Sequence, residues 1–281
     1  MDIFVAGASS FAGNYLTKFL LKKNVRIFGT FFKNKLKIKS NNFVPIKIDL
    51  TKKIDFNRKF DFIIHVASHH KISDFIKNPQ KKIKRNILMT KNILNYCFRN
   101  NIKKIIFFST IDIDKVDFPK KKIHYIKSKI QSEKLYLDQK KRKKIKIIIL
   151  RLPAIIGKNC NQNFFSTTYE RLKKNKTVKL WNSKDLYDNF IHIEDLSKFI
   201  FFIIKKSGNL NKSIIECKSI NPLKLKETIS LVKRKTSSNS KIYIDDSIKK
   251  GNKFKNKNKY KYKYNFFTAK KAISQFLKEN Q

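Results

Sequence analysis

The sequence predicts an α/β fold built on a doubly wound parallel sheet, with a smaller carboxyl-terminal lobe. Three observations predict it. Short runs rich in Ile, Val and Phe alternate with longer segments of helical spacing, the runs lack polar alternation, and two of only six glycines, Gly7 and Gly13, follow the first run directly. Strands buried on both faces of a parallel sheet read as unbroken apolar stretches, because crossover helices cover both sides. Alternation of strand and helix gives the doubly wound layering.

DIFVA (2–6) is the first strand and leads into a helix over 11–22. VRIFGTFF (25–32), VPIKI (44–48) and FDFIIHVA (60–67) are the next strands, followed by a helix over 80–99. KKIIFFST (103–110) precedes a helix over 125–141, and KIKIIILRL (144–152) completes a first domain, residues 1–152. After Pro153 the order is less regular, with a helix around 167–175, a strand NFIHI (189–193) and helices near 195–206 and 222–236. Residues 153–281 are read mainly as the smaller lobe, with about 188–206 returning to the first domain. The lysine-rich stretch 246–264 is expected to pack loosely, and TAKKAISQFLKE (268–279) has the spacing of a terminal amphipathic helix.

A chain of 281 residues with 41% hydrophobic content can build a real core. Its net charge of +46 would by itself suggest nucleic acid or an anionic surface. Only eight of the 66 basic residues are arginine, however, and nucleic-acid sites favour the bidentate guanidinium fork. Abundant Lys, Asn, Ile, Phe and Tyr beside scarce Gly, Pro, Arg and Trp point to compositional drift toward A and T. Nucleic acid is therefore not the expected partner. Cys97, Cys160 and Cys217 are isolated and lack metal-ligand spacing, so buried thiols in a reducing compartment are expected and no metal site is proposed. The chain opens on a strand, and apolar stretches such as FIFFII (199–204) are far below spanning length, so a cytoplasmic protein without a membrane span is expected.

The turn GASSFAG (7–13) joins a strand to a helix, the arrangement that aims helix N-terminal amides at a pyrophosphate. Gly7 makes the tight turn and Gly13 permits close packing of helix on strand. Ser10 stands where a middle glycine would let the backbone approach the phosphates, and its hydroxyl is expected to donate to phosphate. The alternative is a glycine pair that merely closes the turn. An acidic residue about 20 residues later usually holds a ribose hydroxyl. Here Gly29 and Thr30 fall at that place, with Lys33 and Lys35 beyond, which favours NADP over NAD. Asp49 in KIDL follows the third strand, where its carboxylate could accept from an adenine amino group or serve as an ordinary turn residue.

HYIKSKIQSEKLY (124–136) places Tyr125 and Lys129 at i, i+4, on one helix face. An ammonium stabilises a phenolate by about 4 kcal/mol at about 4 Å and an effective dielectric near 20, worth roughly three pKa units. The spacing alone is weak evidence, since about two such pairs arise by chance at this lysine content, and Tyr136 with Lys140 and Tyr169 with Lys173 also fit. Position favours Tyr125. Ser109 and Thr110 end a central strand fifteen residues earlier, so hydroxyl and phenol can converge where open α/β sheets bind ligands. Thr110 is also read as a possible helix or turn cap.

Taken together, GASSFAG, KIDL, DFIIHVAS, RNILMTKNIL, FFST, YIKSK, RLPAIIGKN and NFIHIEDL, in this order, resemble the extended short-chain dehydrogenase/reductase family, the NAD-dependent epimerase/dehydratase group that acts on nucleotide sugars. The resemblance implies a Rossmann-type NAD(P)-binding domain at 1–152 and a substrate-binding lobe in 153–281. It implies a catalytic set of Thr110, Tyr125 and Lys129. Cofactor contacts would come from Gly7, Ser9, Ser10, Phe11, Gly13, Lys33, Asp49, Leu50, Ala67, Asn86, Lys129 and Pro153. A nucleoside-diphosphate sugar would meet Asn159, Asn163 and Phe164, with Asp188 to His192 nearby, although His192 reads more readily as a structural histidine. A homodimer through the helices at 80–99 and 125–141 is also implied. Met89 departs from the family's helix glycine, and RLPAIIGK from its usual R-P-x-x-V-Y-G-P. The family's 4,6-dehydratases carry an acid pair after the serine and threonine, and Ile111 occupies the first of those places, which disfavours dehydration and leaves epimerisation or keto-sugar reduction. A member of the fold that has lost catalysis and binds RNA, or serves as a scaffold, is the competing reading.

Overall fold

The computed structural model describes residues 1–141, 145–206, 212–247 and 260–281. Its first half runs β1 (Asp2–Ala6), α1 (Phe11–Leu21), β2 (Arg26–Phe31), β3 (Phe43–Lys47), β4 (Phe62–His65), α2 (Ile72–Lys77), α3 (Pro79–Arg99), β5 (Lys104–Thr110), α4 (Ile123–Lys141) and β6 (Lys146–Leu152). There follow β7 (Ala154–Ile156), α5 (Phe164–Lys173), β8 (Val178–Leu180), β9 (Leu186–Tyr187), β10 (Phe190–His192) and α6 (Ile193–Lys205). The chain ends with β11 (Ile214–Glu216), β12 (Leu223–Lys224), α7 (Leu225–Lys235), β13 (Ile242–Ile244) and α8 (Ala269–Asn280).

Seven strands form one sheet in the order β11-β6-β5-β4-β1-β2-β3, and every pairing is parallel. Strand order reverses between β1 and β4, which opens a crevice at their carboxyl ends. Side chains alternate across the sheet. Ile3 and Val5 pack on one face with Leu16 and Leu20 of α1 and with Phe199, Ile200 and Ile203 of α6. Phe4 and Ala6 pack on the other with Ile93 and Tyr96 of α3 and Tyr136 of α4. Each large side chain so buried contributes roughly 1.5–3 kcal/mol of transfer free energy. Pro45 lies within β3, which is tolerated because β3 is an edge strand.

The departures from expectation have local causes. β4 is shorter than the apolar run 60–67 because Val66 and Ala67 turn their amides onto the Ala6 carbonyl, at 2.9 and 2.8 Å. β11 was not anticipated; it is only three residues long and joins the sheet beside β6. Of the lysine-rich stretch 246–264, residues 248–259 lie outside the described residues, and its end is not loose. Tyr264 packs against Phe199 with ring centroids 4.7 Å apart, and Tyr262 packs against the same ring at 5.9 Å. A separate core holds the carboxyl-terminal elements, with Phe165, Tyr169, Ile229, Ile273 and Phe276 buried among one another. Among the described residues no helix is long and apolar enough to cross a membrane.

Candidate active site

The β1–α1 turn is tied to β2 and to its own cap. Gly7 has φ 94, and its amide donates to Thr30 Oγ1 at 2.8 Å. A Cβ on Gly7 would stand 2.6 Å from Ala67 N, and one on Gly13 would stand 2.2 Å from the Gly7 carbonyl oxygen. Both glycines are therefore required sterically where β1, β4 and α1 meet. Ser10 has a role within the turn itself. It is the N-cap of α1, its Oγ accepting from Gly13 N at 3.1 Å and donating to the Gly7 carbonyl at 2.8 Å, so its hydroxyl proton is already committed. The amides of the first turn, starting at Phe11, precede the helix's own ladder and supply donors for an anion. Ser9 is exposed beside them. A cradle that a Cβ would fill, backed by a helix N-terminus, fits a dinucleotide pyrophosphate.

The crevice continues along the ends of β2, β3 and β4. Lys33 is exposed two residues beyond β2. Asp49 follows β3 with Leu50 buried behind it, and its Oδ1 accepts from the Thr51 amide at 3.0 Å and hydroxyl at 2.7 Å. Burial pushes the Asp49 carboxyl up, but the Thr51 hydrogen bonds together with Arg85 and Lys52 outweigh it and hold it below the usual range. Sequence reasoning missed Arg85. It donates from Nε to His69 Nε2 at 2.9 Å and lies 3.8 Å from Asp49, bridging the loops after β3 and β4. Ala67 lies in the loop after β4, against Gly7.

Thr110 ends β5, and its Oγ1 accepts from the Asp112 amide at 3.2 Å. That caps the 3-10 turn Ile111–Asp114 and leaves the hydroxyl proton for another acceptor. Tyr125 and Lys129 lie one turn apart on α4, which packs against this turn. Lys129 Nζ stands 5.9 Å from the Tyr125 ring centroid and donates to the Phe108 carbonyl at 2.8 Å. Asn86 anchors α4, because its Nδ2 donates to Ser128 Oγ at 3.0 Å and to the His69 carbonyl at 3.1 Å, while its Oδ1 accepts the His69 amide at 2.8 Å. Pro153 is half-buried directly after β6.

The electrostatics differ from the simple phenol-and-ammonium picture. Burial raises the Tyr125 phenol above its ordinary value, and the Asp112 carboxylate raises it further. Burial pulls Lys129 down to about 7, against the opposing pull of Glu133. The lowering of the phenol expected from Lys129 does not prevail, since burial and Asp112 set the direction. Asp112 is clamped by Lys115 at 2.7 Å and Lys122 at 2.9 Å. Burial pushes its carboxyl up, but Lys122 and Lys115 together hold it below the usual range. Beneath the site His65 Nδ1 pairs with Tyr136 Oη at 2.8 Å, and burial, aided by Lys129, holds its ring down at about 3.

On the lobe side Asn159 sits at φ 62 and lines an open recess of about 350 Å³ together with Gly157, Gln162 and Tyr169. Asn163 caps α5, its Oδ1 accepting from Ser166 N at 3.0 Å. Phe164 is 44% exposed, its ring edge-on to Tyr187 at 5.6 Å, so an aromatic surface is available there. His192 is fully buried, its Nδ1 accepting from Glu194 N at 3.3 Å, and its Nε2 lies 3.3 Å from a Glu279 oxygen without a hydrogen bond between them.

A model of the NAD dependent epimerase/dehydratase family matches residues 3–216. An uncharacterized protein of Methanocaldococcus jannaschii is 24% identical over 275 residues, 85% of this chain and 82% of its own length. A dTDP-D-glucose 4,6-dehydratase of Dictyostelium discoideum is 24% identical over 247 residues, covering 74% of this chain and 57% of that protein. In three dimensions the chain is similar to a UDP-glucose 4-epimerase of Thermotoga maritima solved with UDP-glucose, with TM-score 0.76, 15% identity and coverage of 100% and 98%. It is also similar to a GDP-mannoheptose C4 reductase of Campylobacter jejuni with NADP bound, with TM-score 0.75, 16% identity and coverage of 99% and 98%. The glycine cradle, the parallel sheet and the family match agree, and the chain belongs to the NAD-dependent epimerase/dehydratase family.

Proposed function

We propose that this protein moves hydride at a carbinol or carbonyl carbon of a nucleoside-diphosphate sugar, as an epimerase or a keto-sugar reductase, with Thr110, Tyr125 and Lys129 as its catalytic set. The observation that carries the reading is their placement, with Thr110 at the carboxyl end of β5 and Tyr125 and Lys129 on one face of the helix packed against it. The nicotinamide cofactor supplies or accepts the hydride. Thr110 polarises the substrate oxygen with its uncommitted proton, and Tyr125 gives or takes the proton at that oxygen. Lys129 supplies positive charge that favours the phenolate during transfer.

Dehydration is disfavoured by charge as well as by sequence. Asp112 is held ionised between two lysines and can accept a proton but has none to give at neutral pH, while Ile111 offers no acid. NADP is favoured over NAD because Thr30 and the exposed Lys33 stand where a carboxylate would otherwise meet the ribose. The solved relatives whose names state UDP-glucose and GDP-mannoheptose chemistry support a sugar nucleotide as substrate. The test is incubation with a panel of nucleoside-diphosphate hexoses and their 4-keto derivatives. Stoichiometric loss of NADPH absorbance marks a reductase, and interconversion of sugars without net cofactor change marks an epimerase. Neither outcome on any sugar, with cofactor bound, contradicts the proposal.

A further inference from the structure

The loop after β4 carries a histidine whose ring the proposed chemistry leaves unused. His69 is half-buried two residues beyond Ala67, the residue that abuts Gly7. Its backbone is pinned on both sides. Asn86 on α3 accepts the His69 amide at 2.8 Å and donates to its carbonyl at 3.1 Å, and Ser68 Oγ donates to the same carbonyl at 3.0 Å. The ring is held separately, by the residue before Asn86. Arg85 donates from Nε to His69 Nε2 at 2.9 Å, and its Nη2 lies 3.8 Å from Asp49 Oδ1.

That single ring contact fixes the state of the imidazole. An arginine Nε–H only donates, and the guanidinium stays charged throughout the pH range of a folded protein. Nε2 must therefore offer a lone pair. An imidazolium has none, and the neutral ring that keeps one on Nε2 carries its proton on Nδ1. The charged and titratable groups facing the ring are Lys82 and Arg85 on α3, Asp74 on α2 and the neighbouring His70. Of these Asp74 alone favours the imidazolium, and it is paired with Lys82 at 3.4 Å. Burial, with Lys82 and Arg85, holds the ring down at about 4, in agreement with the contact. Nδ1 has no hydrogen-bond partner among the described residues and is not sealed from solvent. An arginine pairs more strongly with a carboxylate than with an imidazole. What the imidazole adds is a second nitrogen that donates, at the carboxyl end of one of the two strands bordering the crevice.

We propose that Arg85 is a positioning residue that locks His69 as its neutral Nδ1–H tautomer, and that Nδ1 donates to an oxygen of the bound dinucleotide. The inference rests on the cofactor reading of the glycine cradle, but the lock is measured without cofactor. In protein carrying nitrogen-15 histidine, long-range proton–nitrogen spectra separate the two neutral tautomers from the imidazolium, and the signals lost in His69→Asn identify His69. Wild-type protein is expected to show the Nδ1–H form at pH 7 and still at about pH 5.5, where an ordinary histidine is mostly charged. Arg85→Met is expected to populate the Nε2–H form. An Nε2–H ring in wild-type protein, or an Nδ1–H ring left whole by Arg85→Met, overturns the lock, and the wild-type spectrum decides it even should that variant not fold.

The donor is tested by titrating NADPH into three variants. His69→Leu is expected to bind about tenfold more weakly. His69→Asn, whose amide nitrogen stands at the δ position, should stay within about threefold of wild type, whereas His69→Gln, with its nitrogen at the ε position, should resemble His69→Leu. A merely structural role would not rank the two amides in that order. Affinity unchanged in His69→Leu, or rescued by Gln and not by Asn, overturns the donor role. Wild-type protein that shows the Nδ1–H form yet binds neither NADPH nor NADH would remove the cofactor reading and leave the lock standing.

Discussion

Two turns on opposite sides of the site are built under different constraints. In the turn after β1, a methyl group on Gly13 would overlap the Gly7 carbonyl at 2.2 Å, so residue type is dictated by backbone meeting backbone. In the turn after β7, Asn159 adopts φ 62 and Asn163 caps α5, roles that several small polar residues fill. A site made by close backbone approach restricts its sequence sharply. A site made by side chains on short two-stranded pieces such as β7 with β10 restricts it much less.

The sharpest way to break that comparison is chemical. Tyr125→Phe is expected to lower turnover by about 10²–10⁴-fold while leaving cofactor affinity within a few-fold, measured by steady-state rates beside a binding titration. Next in size is Gly13→Ala, which should lower cofactor affinity by more than about tenfold and cost about 1–3 kcal/mol of stability, because a backbone atom must move. Its counterpart in the lobe, Asn159→Ala, should cost about 1 kcal/mol for the left-handed conformation and leave cofactor affinity unchanged. Equal effects of the two on cofactor binding would dissolve the contrast.

A third expectation concerns acid. His65, at about 3 in the folded protein against about 6.5 unfolded, and half-buried His69, at about 4, bind protons more readily when unfolded. Their contribution is fully present above pH 6.5 and is lost as pH falls from there toward 3. Urea midpoints measured across that range should decline, and His65→Phe should flatten the decline. The smallest effect belongs to Lys33→Ala, expected to reduce the preference for NADPH over NADH by a few-fold, since the residue is exposed and screened.

The legible parts of this molecule are those where chain geometry leaves few choices. Gly7 and Gly13 announced the tight turn from β1 into α1, and unbroken apolar runs announced β1, β5 and β6. The i, i+4 spacing of Tyr125 and Lys129 announced that they share one turn of α4, beside the turn that follows Thr110. Glu133 continues the same spacing and was available to that reasoning, but its partner Arg151 lies on another strand, and no local pattern joins them. Arg85 was hidden for the same reason, acting between two loops. The capping role of Ser10 was hidden because a hydroxyl at such a turn can serve a helix cap as readily as an anion, and only geometry shows the cap. The three-residue strand β11 carries too few positions to show a period.

The most direct measurement of the central claim is a fluorescence titration with NADPH and, separately, NADH at near-physiological salt, with Gly13→Ala alongside. Saturable binding that is tighter for NADPH and lost in Gly13→Ala is the expected result. No saturable binding by wild-type protein cleared of carried-over cofactor, or binding that survives Gly13→Ala and fades as salt rises, would contradict it and assign the affinity to the basic surface.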